Sequence, residues 1–398
     1  MREGWTKHTL GELCTIVKGT SPTMKTAPGP YPLIVTAAEP LSSSEYQFNG
    51  EAVCIPMVSS TGHGHASLKR VHYASGKFAV ANIIAAVQVR DPVQASTKFL
   101  ALYLQHFKDE LIVTRMRGTA NVSLSLGVLK TVPVELPPLH EQLRVVDLIE
   151  SLDETIDEAE ANCESFDRVW WAVASKLEQF AQEAPLTSLG AIAEICGGLT
   201  KDKKTEGKDG QMEVPYLRVA NVHRRYLDLT EVALVKVSPD KLAKLRLIPG
   251  DILLNEGGDK DKLGRGAIWS GELPECIHQN HVFRARITDS NFIPDFVSAW
   301  SNSFGQQWFQ THGTQTTGIA SISKTTLSKF PVPALSIAEQ GEWAEVLGSA
   351  FRSMEAAARL ARSLRTTRSE LLSVLLSGNH EIPESYDIDT AVQLEPAA

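Results

Sequence analysis

The sequence has 398 residues, a net charge of −8 at pH 7 and a hydrophobic share of 43%. That length is enough for two or three domains. No apolar run approaches the roughly 18 residues of a membrane span, and the polar start MREGWTKHTLGEL lacks the pattern of a signal peptide. Five scattered cysteines without a Cys-x-x-Cys pair are typical of reduced thiols. We therefore expect a soluble, cytoplasmic protein that does not contact a membrane.

Charge is distributed unevenly along the chain. Residues 1–138 have a net charge of +4 and residues 186–335 have +2, whereas residues 139–185 between them have −9. Residues 336–378 are neutral overall, and residues 379–398 have −5. Two mildly basic segments are thus separated by an acidic one. Basic faces on those two segments could bind phosphate despite the negative total.

The first globular module, residues 1–138, has the pattern of mixed α/β structure. Its β-branched and apolar runs predict strands at Val53–Val58 and Phe78–Val89. Phe99–Phe107 is predicted to be a helix, and Gly62-His63-Gly64 to be a turn.

A long helix is predicted from Leu139 to Phe180, within a spacer of residues 139–185. Pro137-Pro138 precedes it and Pro185 follows it, as expected of proline at helix boundaries. A helix of roughly 40 residues is about 60 Å long, more than one small domain needs. Its apolar residues recur at intervals that alternate between three and four after the first step, which is typical of a coiled coil: Leu152, Ile156, Ala159, Cys163, Phe166, Trp170, Val173, Leu177 and Phe180.

The second module, residues 186–335, is predicted to be mixed α/β as well. Strands are expected at Tyr216–Val222, Asp251–Asn255 and Val282–Ile287, and a helix at Phe296–Phe309.

A second long helix is predicted in residues 336–378, and residues 379–398 are expected to be a flexible acidic tail. The apolar positions of this helix are Trp343, Leu347, Ala350, Met354, Ala357, Leu364, Leu371 and Leu375.

The two halves of the sequence repeat one another. Leu10-Gly11-Glu12-Leu13 corresponds to Leu189-Gly190-Ala191-Ile192, and Gly118-Thr119 to Gly313-Thr314. Val132-Pro133-Val134 before Glu141-Gln142 likewise corresponds to Phe330-Pro331-Val332-Pro333 before Glu339-Gln340. Three landmarks in the same order predict the arrangement module, helix, module, helix.

Complementary charges on the two helices predict antiparallel packing, with the modules at opposite ends. Solvated helix faces are the alternative, because exposed ion pairs contribute little individually. The first half of the first helix is acidic, with Asp147, Glu150, Asp153, Glu154, Asp157, Glu158, Glu160 and Glu164, and the second half of the second helix is basic, with Arg352, Arg359, Arg362, Arg365 and Arg368.

At the level of motifs, the chain resembles the specificity subunit of type I restriction–modification systems. In the second half the resemblance rests on PYLRVANV (Pro215–Val222), GDILLNEGGDKDKLGRGAIW (Gly250–Trp269), IHQNHVFRAR (Ile277–Arg286), GTQTTGIASIS (Gly313–Ser323) and FPVPALSIAEQ (Phe330–Gln340). In the first half it rests on LGELCTIVKGTSP (Leu10–Pro22) and GTANVSLSLGVLKTVPVELPPLHEQ (Gly118–Gln142). Residues 31–98 look like a different class of recognition domain. Ala334-Leu335-Ser336-Ile337 replaces the usual Pro-Pro-Leu, which is expected to loosen the start of the second helix.

The resemblance implies an α+β protein whose two target-recognition domains are held apart by two antiparallel coiled-coil helices. Each domain would read one half of a bipartite, asymmetric site in double-stranded DNA. The helices would set the spacer and dock two methyltransferase (modification) subunits, and restriction/translocase subunits would join the complex. The chain would have no cofactor of its own, because the partner subunits would bind S-adenosylmethionine, ATP and Mg. The residues expected to contact the partners are Glu141, Gln142, Glu339 and Gln340.

The sequence lacks recognisable catalytic motifs, which agrees with a non-catalytic subunit. It has no Asn-Pro-Pro-Tyr or Asp-Pro-Pro-Tyr and no phosphate-binding loop of the G-x-x-x-x-G-K-[ST] type. Glu206-Gly207-Lys208 has the letters of a nuclease motif but lacks a strand-borne acid before it. The histidine sets His63, His65, His72 and His278, His281 lack cysteine or carboxylate neighbours at ligand spacing, so no metal site is predicted.

Polar and basic loop residues are the candidates for DNA contact, because arginine and lysine suit guanine while asparagine and glutamine suit adenine. A solvated loop is the alternative for each one singly. In the first module the candidates are Ser59, Ser60, Thr61, His63, His65, Lys69, Arg70, Arg115 and Arg117. In the second module they are Arg218, Asn221, His223, Arg224, Arg225, Asn255, Lys260, Lys262, Arg265, Gln279, Asn280, His281, Gln315, Thr316 and Thr317.

Two recognition domains that are held apart by rigid helices predict a DNA target of two half-sites with a spacer of fixed length. If both modules enter the major groove from one face, the half-sites lie about 10 base pairs apart, centre to centre. Shortening the first helix by whole heptads is then expected to shorten the spacer. The alternative from another class is a coiled-coil scaffold that presents two protein-binding modules without DNA recognition. A third hypothesis is that the chain is an enzyme that acts alone.

Overall fold

The computed structural model describes residues 4–61, 64–119, 121–200, 211–316, 319–383 and 385–386. The chain divides into two compact units, residues 1–158 with 361–398 and residues 159–360. Each unit contains one module and one part of each long helix. The helices predicted as separate spacers are therefore integral parts of the two units.

The first module is built from short strands around a small number of helices. In chain order these are β1 (Thr6–Thr9), α1 (Leu10–Leu13), β2 (Cys14–Lys18), β3 (Tyr31–Ile34), β4 (Leu41–Ser43), β5 (Phe48–Asn49), β6 (Ala52–Pro56), β7 (His72–Ala74), β8 (Lys77–Val80), β9 (Ile84–Val89), α2 (Thr97–His106), α3 (Lys108–Leu111), α4 (Leu126–Lys130) and β10 (Pro133–Leu136). Every residue of β6 is buried, because this central strand is covered on both faces.

After α5 (Leu139–Phe180), the second module follows a similar plan. Its elements are β11 (Leu186–Ser188), α6 (Leu189–Ile192), β12 (Ala193–Gly197), β13 (Met212–Leu217), β14 (Ala233–Val237), α7 (Pro239–Leu245), β15 (Ile252–Asn255), β16 (Gly257–Gly258), β17 (Gly266–Ile268), β18 (Ile277–His278), β19 (Val282–Ile287), α8 (Pro294–Asn302), α9 (Phe304–His312), β20 (Thr314–Thr316), β21 (Ile319–Ser321), α10 (Lys324–Ser328), β22 (Pro331–Pro333) and α11 (Ile337–Leu376).

Strand order confirms the internal repeat. A four-stranded sheet has the order β2-β9-β6-β7 in the first module and β12-β19-β15-β17 in the second. A second sheet contains the parallel pair β3·β8 in one and β13·β18 in the other. The prediction that residues 31–98 belong to a different class of domain is wrong at this level, since their strand pairing matches that of the second module.

Three predicted elements are interrupted. The run Phe78–Val89 forms two strands, β8 and β9, because the chain turns at residues 81–83 and enters the other sheet. Residues 219–221 leave β13 and form a 3₁₀ turn. The helix predicted at Phe296–Phe309 is two helices that meet at Ser303, whose ψ of −93° is not helical.

The two long helices run antiparallel within each unit. In the first unit, Val145 and Ile149 of α5 share one apolar core with Leu372 and Leu375 of α11. In the second unit, Leu177 of α5 shares a core with Leu347 of α11. In the first unit the start of α5 thus lies beside the end of α11. In the second unit the end of α5 lies beside the start of α11. Both observations agree with the antiparallel packing that the charge pattern predicts.

One predicted ion pair between the helices is present in the first unit. The guanidinium of Arg368 contacts both carboxylate oxygens of Asp153, with 2.7 Å between Nη2 and Oδ2. Two other predicted residues bond elsewhere: Glu150 pairs with Lys98 of the module, and Arg359 pairs with Glu355 on its own helix. Buried apolar side chains of both helices add to this pairing within each unit.

A buried glutamine attaches each module to the start of a long helix. The amide of Gln142 donates to the carbonyls of Gln94 (3.1 Å) and Pro137 (2.9 Å) and accepts from the backbone N–H of Ser96 (2.9 Å). Gln142 is fully buried, so it is not a partner-contact residue as predicted.

Gln340 makes the same three bonds in the second half. It donates to Asn291 O and Leu335 O, both at 2.8 Å, and accepts from Ile293 N at 2.9 Å, again with no exposed surface. Glu141, 5% exposed, is also removed from solvent. Of the four predicted partner-contact residues, Glu339 is partly exposed and the other three are buried.

Glu339 instead caps the start of α11. Its carboxylate accepts from the backbone N–H of Ser336 (2.9 Å) and from its hydroxyl (2.7 Å), while Ser336 Oγ accepts from Glu339 N (3.3 Å). These bonds hold the pKa of Glu339 below its ordinary value, the side-chain bond to Ser336 contributing most. The expectation of a loosened helix start is wrong, because this capping box closes it.

Part of the predicted flexible tail is ordered. Ile382, 5% exposed, belongs to the apolar core of the first unit, and its carbonyl accepts a bond from Arg144 Nη1 at 3.5 Å. The phenol of Tyr386 donates to Asp147 at 2.8 Å. Residues 384 and 387–398 lie outside the described part of the chain.

Replacing Gln340 with alanine is expected to destabilise the second unit by about 3 kcal/mol, because one N–H and two C=O groups lose buried hydrogen-bond partners. Chemical denaturation of the purified protein measures the change. Glu342→Ala, a change on the same helix, is the control and should have a much smaller effect, since the side chain of Glu342 is exposed. Equal stabilities of Gln340→Ala and the unaltered protein would refute the structural role of this residue.

Candidate nucleic-acid interface

Three loops meet at one end of the central sheet in the second module. The segment after β15 begins at Glu256, whose backbone N–H donates to His281 O (3.0 Å) in the turn between β18 and β19. On its other side, Glu256 O accepts from Ile322 N (2.8 Å), just after the hairpin of β20 and β21. Backbone hydrogen bonds thus tie the three loops into one surface, which we call the three-loop surface.

The first module contains the same surface. The segment after β6 begins at Met57, whose N–H donates to Ile83 O (2.8 Å) in the turn between β8 and β9, and whose carbonyl accepts from Leu124 N (2.8 Å). The third loop is a hairpin in which Arg117 and Ser123 exchange both backbone bonds, at 2.8 and 2.9 Å. Corresponding positions differ by 198 or 199 residues along the chain.

An asparagine occupies the same place in both surfaces. Asn280 N donates to Leu199 O (3.2 Å), and Asn82 N donates to Ser21 O (2.9 Å), in equivalent turns. Asn82 is exposed, yet it was not among the predicted contacts because Phe78–Val89 was interpreted as one strand. The signal was present, since asparagine is depleted in strand interiors and favoured in turns.

The side chains next to Asn280 form a short chain of polar contacts. His281 Nδ1 lies 2.6 Å from Glu256 Oε2, and His281 Nε2 lies 3.4 Å from the amide nitrogen of Asn280. With a proton on Nδ1, the imidazole donates to the carboxylate and accepts from the asparagine. This arrangement orients the Asn280 amide, a group with the donor and acceptor pattern that matches adenine.

Glycines let two loops of the first surface approach closely. Gly118 has φ of +138°, and a Cβ there would lie 2.3 Å from Asn121 O in the same hairpin. A Cβ on Gly64, φ +79°, would lie 2.6 Å from Thr119 O of that hairpin. Both positions need glycine because other residues are strained at such φ values and would clash.

Comparison with known proteins finds sequence similarity over part of the chain and similarity of fold over most of it. The sequence profile of the family described as "Type I restriction modification DNA specificity domain" matches residues 2–162. A curated relative, the putative type I restriction enzyme MjaX specificity subunit of Methanocaldococcus jannaschii, is 24% identical over 176 residues, which is 44% of this chain and 40% of that protein.

In sequence over residues 2–162, and in fold over most of its length, the chain is similar to type I restriction–modification specificity subunits. Its fold matches the crystal structure of the type I restriction–modification S subunit from M. genitalium with a TM-score of 0.63 and 16% identity, over 93% of this chain and 96% of that one. A structure solved in a study of complex assembly and conformational transition of the type I system matches with a TM-score of 0.54 and 16% identity, over 94% and 98% of the two chains.

In the first module, the predicted hydroxyl residues partly support their own loop. Ser59 Oγ donates to His65 O (2.5 Å), Thr61 Oγ1 lies 2.9 Å from Ser67 Oγ, and Ser60 Oγ accepts from Lys69 N (3.1 Å). The side chains of His65 and Lys69 are exposed beside them. His63 lies outside the described residues.

The predicted arginines of the first module differ in their exposure. Arg115 is half-buried and donates to Leu111 O (2.8 Å), so we reassign it to capping the preceding helical turn. Arg117 is exposed on the hairpin and donates to Thr114 O (2.7 Å). Arg70 is half-buried.

In the second module, two predicted asparagines are structural. Asn221, 3% exposed, donates to Asp228 O and Glu231 O and accepts from Arg218 N, all at 2.9 Å. Asn255 is fully buried and donates to Val222 O at 2.8 Å. Neither side chain reaches the surface, so we reassign both from DNA contact to loop support.

Neighbouring basic residues are also engaged within the second module. Arg224 donates to Asn302 O (3.1 Å) and Asp261 O (3.2 Å), and its burial lowers the pKa of the guanidinium to about 10. Arg218 lies 3.7 Å from Glu231, and His223 stacks on Tyr226. Arg225 contacts the long helices instead of facing the three-loop surface, contrary to the prediction.

The remaining predicted residues lie on or beside the three-loop surface. Lys260, His281 and Gln315 are exposed, whereas Lys262, Arg265, Gln279 and Asn280 are partly exposed. Lys262 is paired with Asp259. The side chain of Thr316, and all of Thr317 and Glu206-Gly207-Lys208, lie outside what the structure describes.

His278 lies beneath the surface as a neutral residue. It is fully buried, and Nδ1 lies 2.7 Å from Val282 O. Burial lowers the pKa of His278 to about 4. Among the described residues, no group of three or more His, Cys, Asp or Glu side chains could hold a metal ion. No helix in the described ranges is long and apolar enough to cross a membrane.

The second unit is expected to lose stability as the pH falls from 7 to 5. The unfolded His278 takes up a proton near its ordinary pKa of 6.5, whereas the folded residue stays neutral until about pH 4. Proton uptake by the unfolded His278 therefore lowers the free energy of unfolding by about 2 kcal/mol at pH 5. Denaturation at both pH values measures it, and His278→Asn should reduce the difference by that amount. His8→Asn in the other unit is the control; an unchanged difference in His278→Asn would contradict the assignment.

Proposed function

We propose that this chain is the non-catalytic DNA-recognition subunit of a type I restriction–modification complex. Each module would read one half of a bipartite, asymmetric site through its three-loop surface. The observation that carries this proposal is the repetition of one backbone assembly with unlike side chains. The family match supports DNA as the ligand.

The unlike side chains support two different half-sites. The turn bears Asn82 and Ile83 in the first module but Asn280 and His281 in the second. The segment after the central strand bears Ser59 and Ser60 in one and a glycine pair in the other. Since bases are distinguished by hydrogen bonds from side chains in the groove, equal scaffolds with unequal side chains favour an asymmetric target.

The long helices would serve as spacer and as docking surface for two methyltransferase subunits. Large apolar side chains that are exposed on α5 and α11 would be available for contact with these partners: Leu143, Val169, Phe180, Ile337, Val346, Leu360 and Val374. Restriction/translocase subunits would complete the assembly in the cytoplasm. S-adenosylmethionine, ATP and Mg would be bound by these partners.

The alternative function is a scaffold that presents two protein-binding modules. It explains the long helices equally well. It does not explain why each module has an amide-bearing turn that is held by backbone bonds to two other loops.

Asn280→Ala and Asn82→Ala are expected to change recognition in one half-site each. A bidentate amide–base pair discriminates by about 1–3 kcal/mol, so specificity at one base pair should relax while the opposite half-site stays the same. Sequencing of methylated adenine in cells that contain the chain and its methyltransferase partner measures this. Asn49→Ala is the control, because Asn49 is an exposed residue of β5. A change in both half-sites, or in neither, would exclude the assignment.

DNA binding by the complex is expected to weaken steeply with salt, because phosphate contacts release counterions. Lys69→Ala should reduce the slope of log affinity against log salt by about 1. A mobility-shift series over several salt concentrations tests this, with Lys7→Ala, a lysine paired with Glu135, as the control. If the chain is only a scaffold for other proteins, the complex should not change the mobility of DNA at any salt concentration.

A further inference from the structure

In the second unit, one arginine connects the recognition module to both long helices. Arg225 lies in a tight turn between Val222 and Leu227 and has φ of +75°, which is unusual for a residue other than glycine. Its backbone N–H donates to Gly266 O at 2.8 Å. The turn therefore holds Arg225 in a backbone conformation that is strained for a residue other than glycine.

The side chain of Arg225 is 13% exposed and contacts α5 and α11 together. Nη2 lies 2.5 Å from Asp167 Oδ1, and the guanidinium carbon lies 4.3 Å from the centre of a Trp170 ring, both on α5. On α11 it lies 5.6 Å from the Phe351 ring, and Nη2 is 3.9 Å from Met354 Sδ. A charged side chain between two aromatic rings has directional contacts that an aliphatic side chain lacks.

These contacts lie beside a cleft of about 130 Å³ between the helices and the module, lined in part by Trp170, Ile268, Ser298 and Phe351. Because the packing there is incomplete, apolar contact alone does not fix the angle between module and helices. Nε and Nη1 of Arg225 have no hydrogen-bond partner among the described residues. The residue is thus not optimised for stability, which favours a role in specifying orientation.

The same turn is connected to the three-loop surface. Arg224 donates to Asp261 O (3.2 Å), in the 3₁₀ turn that follows β16, and Val222 O accepts from Asn255 (2.8 Å), the last residue before Glu256. A rotation of the turn relative to the helices would therefore carry the candidate DNA-contact residues with it.

We propose that Arg225 is a positioning residue that fixes the orientation of the second recognition module on the helices. It would thereby restrict the spacer length that the complex accepts. This inference rests on the proposed function and adds a determinant of spacing that is distinct from the residues that read bases.

The test uses the complex with its methyltransferase and DNA duplexes that keep both half-sites while the spacer is one or two base pairs longer or shorter than the native one. Arg225→Ala should raise methylation at the altered spacers relative to the native spacer by about tenfold, the effect of losing one charged and aromatic contact. The bases recognised in each half-site should stay the same. Asp167→Asn, which alters the helix side of the same contact, should change the ratio in the same direction but less.

Arg246→Ala is the matched control, because Arg246 forms an ion pair with Glu275 at 3.1 Å on the module surface without touching the helices. It should keep the spacer preference of the unaltered protein. If Arg225→Ala does not fold, Asp167→Asn decides the question.

An unchanged spacer preference in Asp167→Asn and in any folded Arg225 variant would overturn the inference, as would altered base recognition in Arg225→Ala, which would make Arg225 a base contact. Failure of the unaltered complex to methylate any split site would instead overturn the proposed function.

Discussion

The architecture depends on a buried carboxamide that is used twice. Gln142 and Gln340 each bridge the start of a long helix and the loop before the first large helix of the module, with three hydrogen bonds. A glutamine side chain has donors and an acceptor on one rigid group, so it can satisfy N–H and C=O groups of two segments at once. Because these bonds are buried, leaving them unmade is costly, and each module is held to its helix in one orientation.

A second consequence concerns the three-loop surfaces. Their geometry is set by backbone hydrogen bonds from Met57 and Glu256 to the flanking loops, and these bonds do not depend on the side chains present. Side chains on the surface can therefore change without loss of the scaffold. Residues beneath it, such as Asn255 and His278, are buried and cannot change so freely.

The sequence was sufficient to predict the large-scale order of the molecule. Helix α5 begins and ends at the predicted residues, and the landmarks of the repeat lie on equivalent elements, because long apolar periodicity and paired prolines are strong local signals. The candidate site was predicted less well. Polar residue type alone does not distinguish Asn280, partly exposed on its turn, from Asn221, whose amide bonds the backbone of its own loop. Arg225 was misassigned for a related reason, since its partners Asp167 and Phe351 are distant in sequence.

Strands β1 and β10 pair antiparallel in the first module, and β11 and β22 do the same in the second. The chain therefore enters and leaves each module at neighbouring points, and the polypeptide in between closes on itself. Replacement of such a module by another of the same fold would leave the rest of the chain connected in the same way, provided that the contacts with the helices, such as those of Gln142 and Gln340, are kept. Under the proposed function, exchange of one module by recombination would change one half of the DNA target and keep the other half, with the helices unchanged.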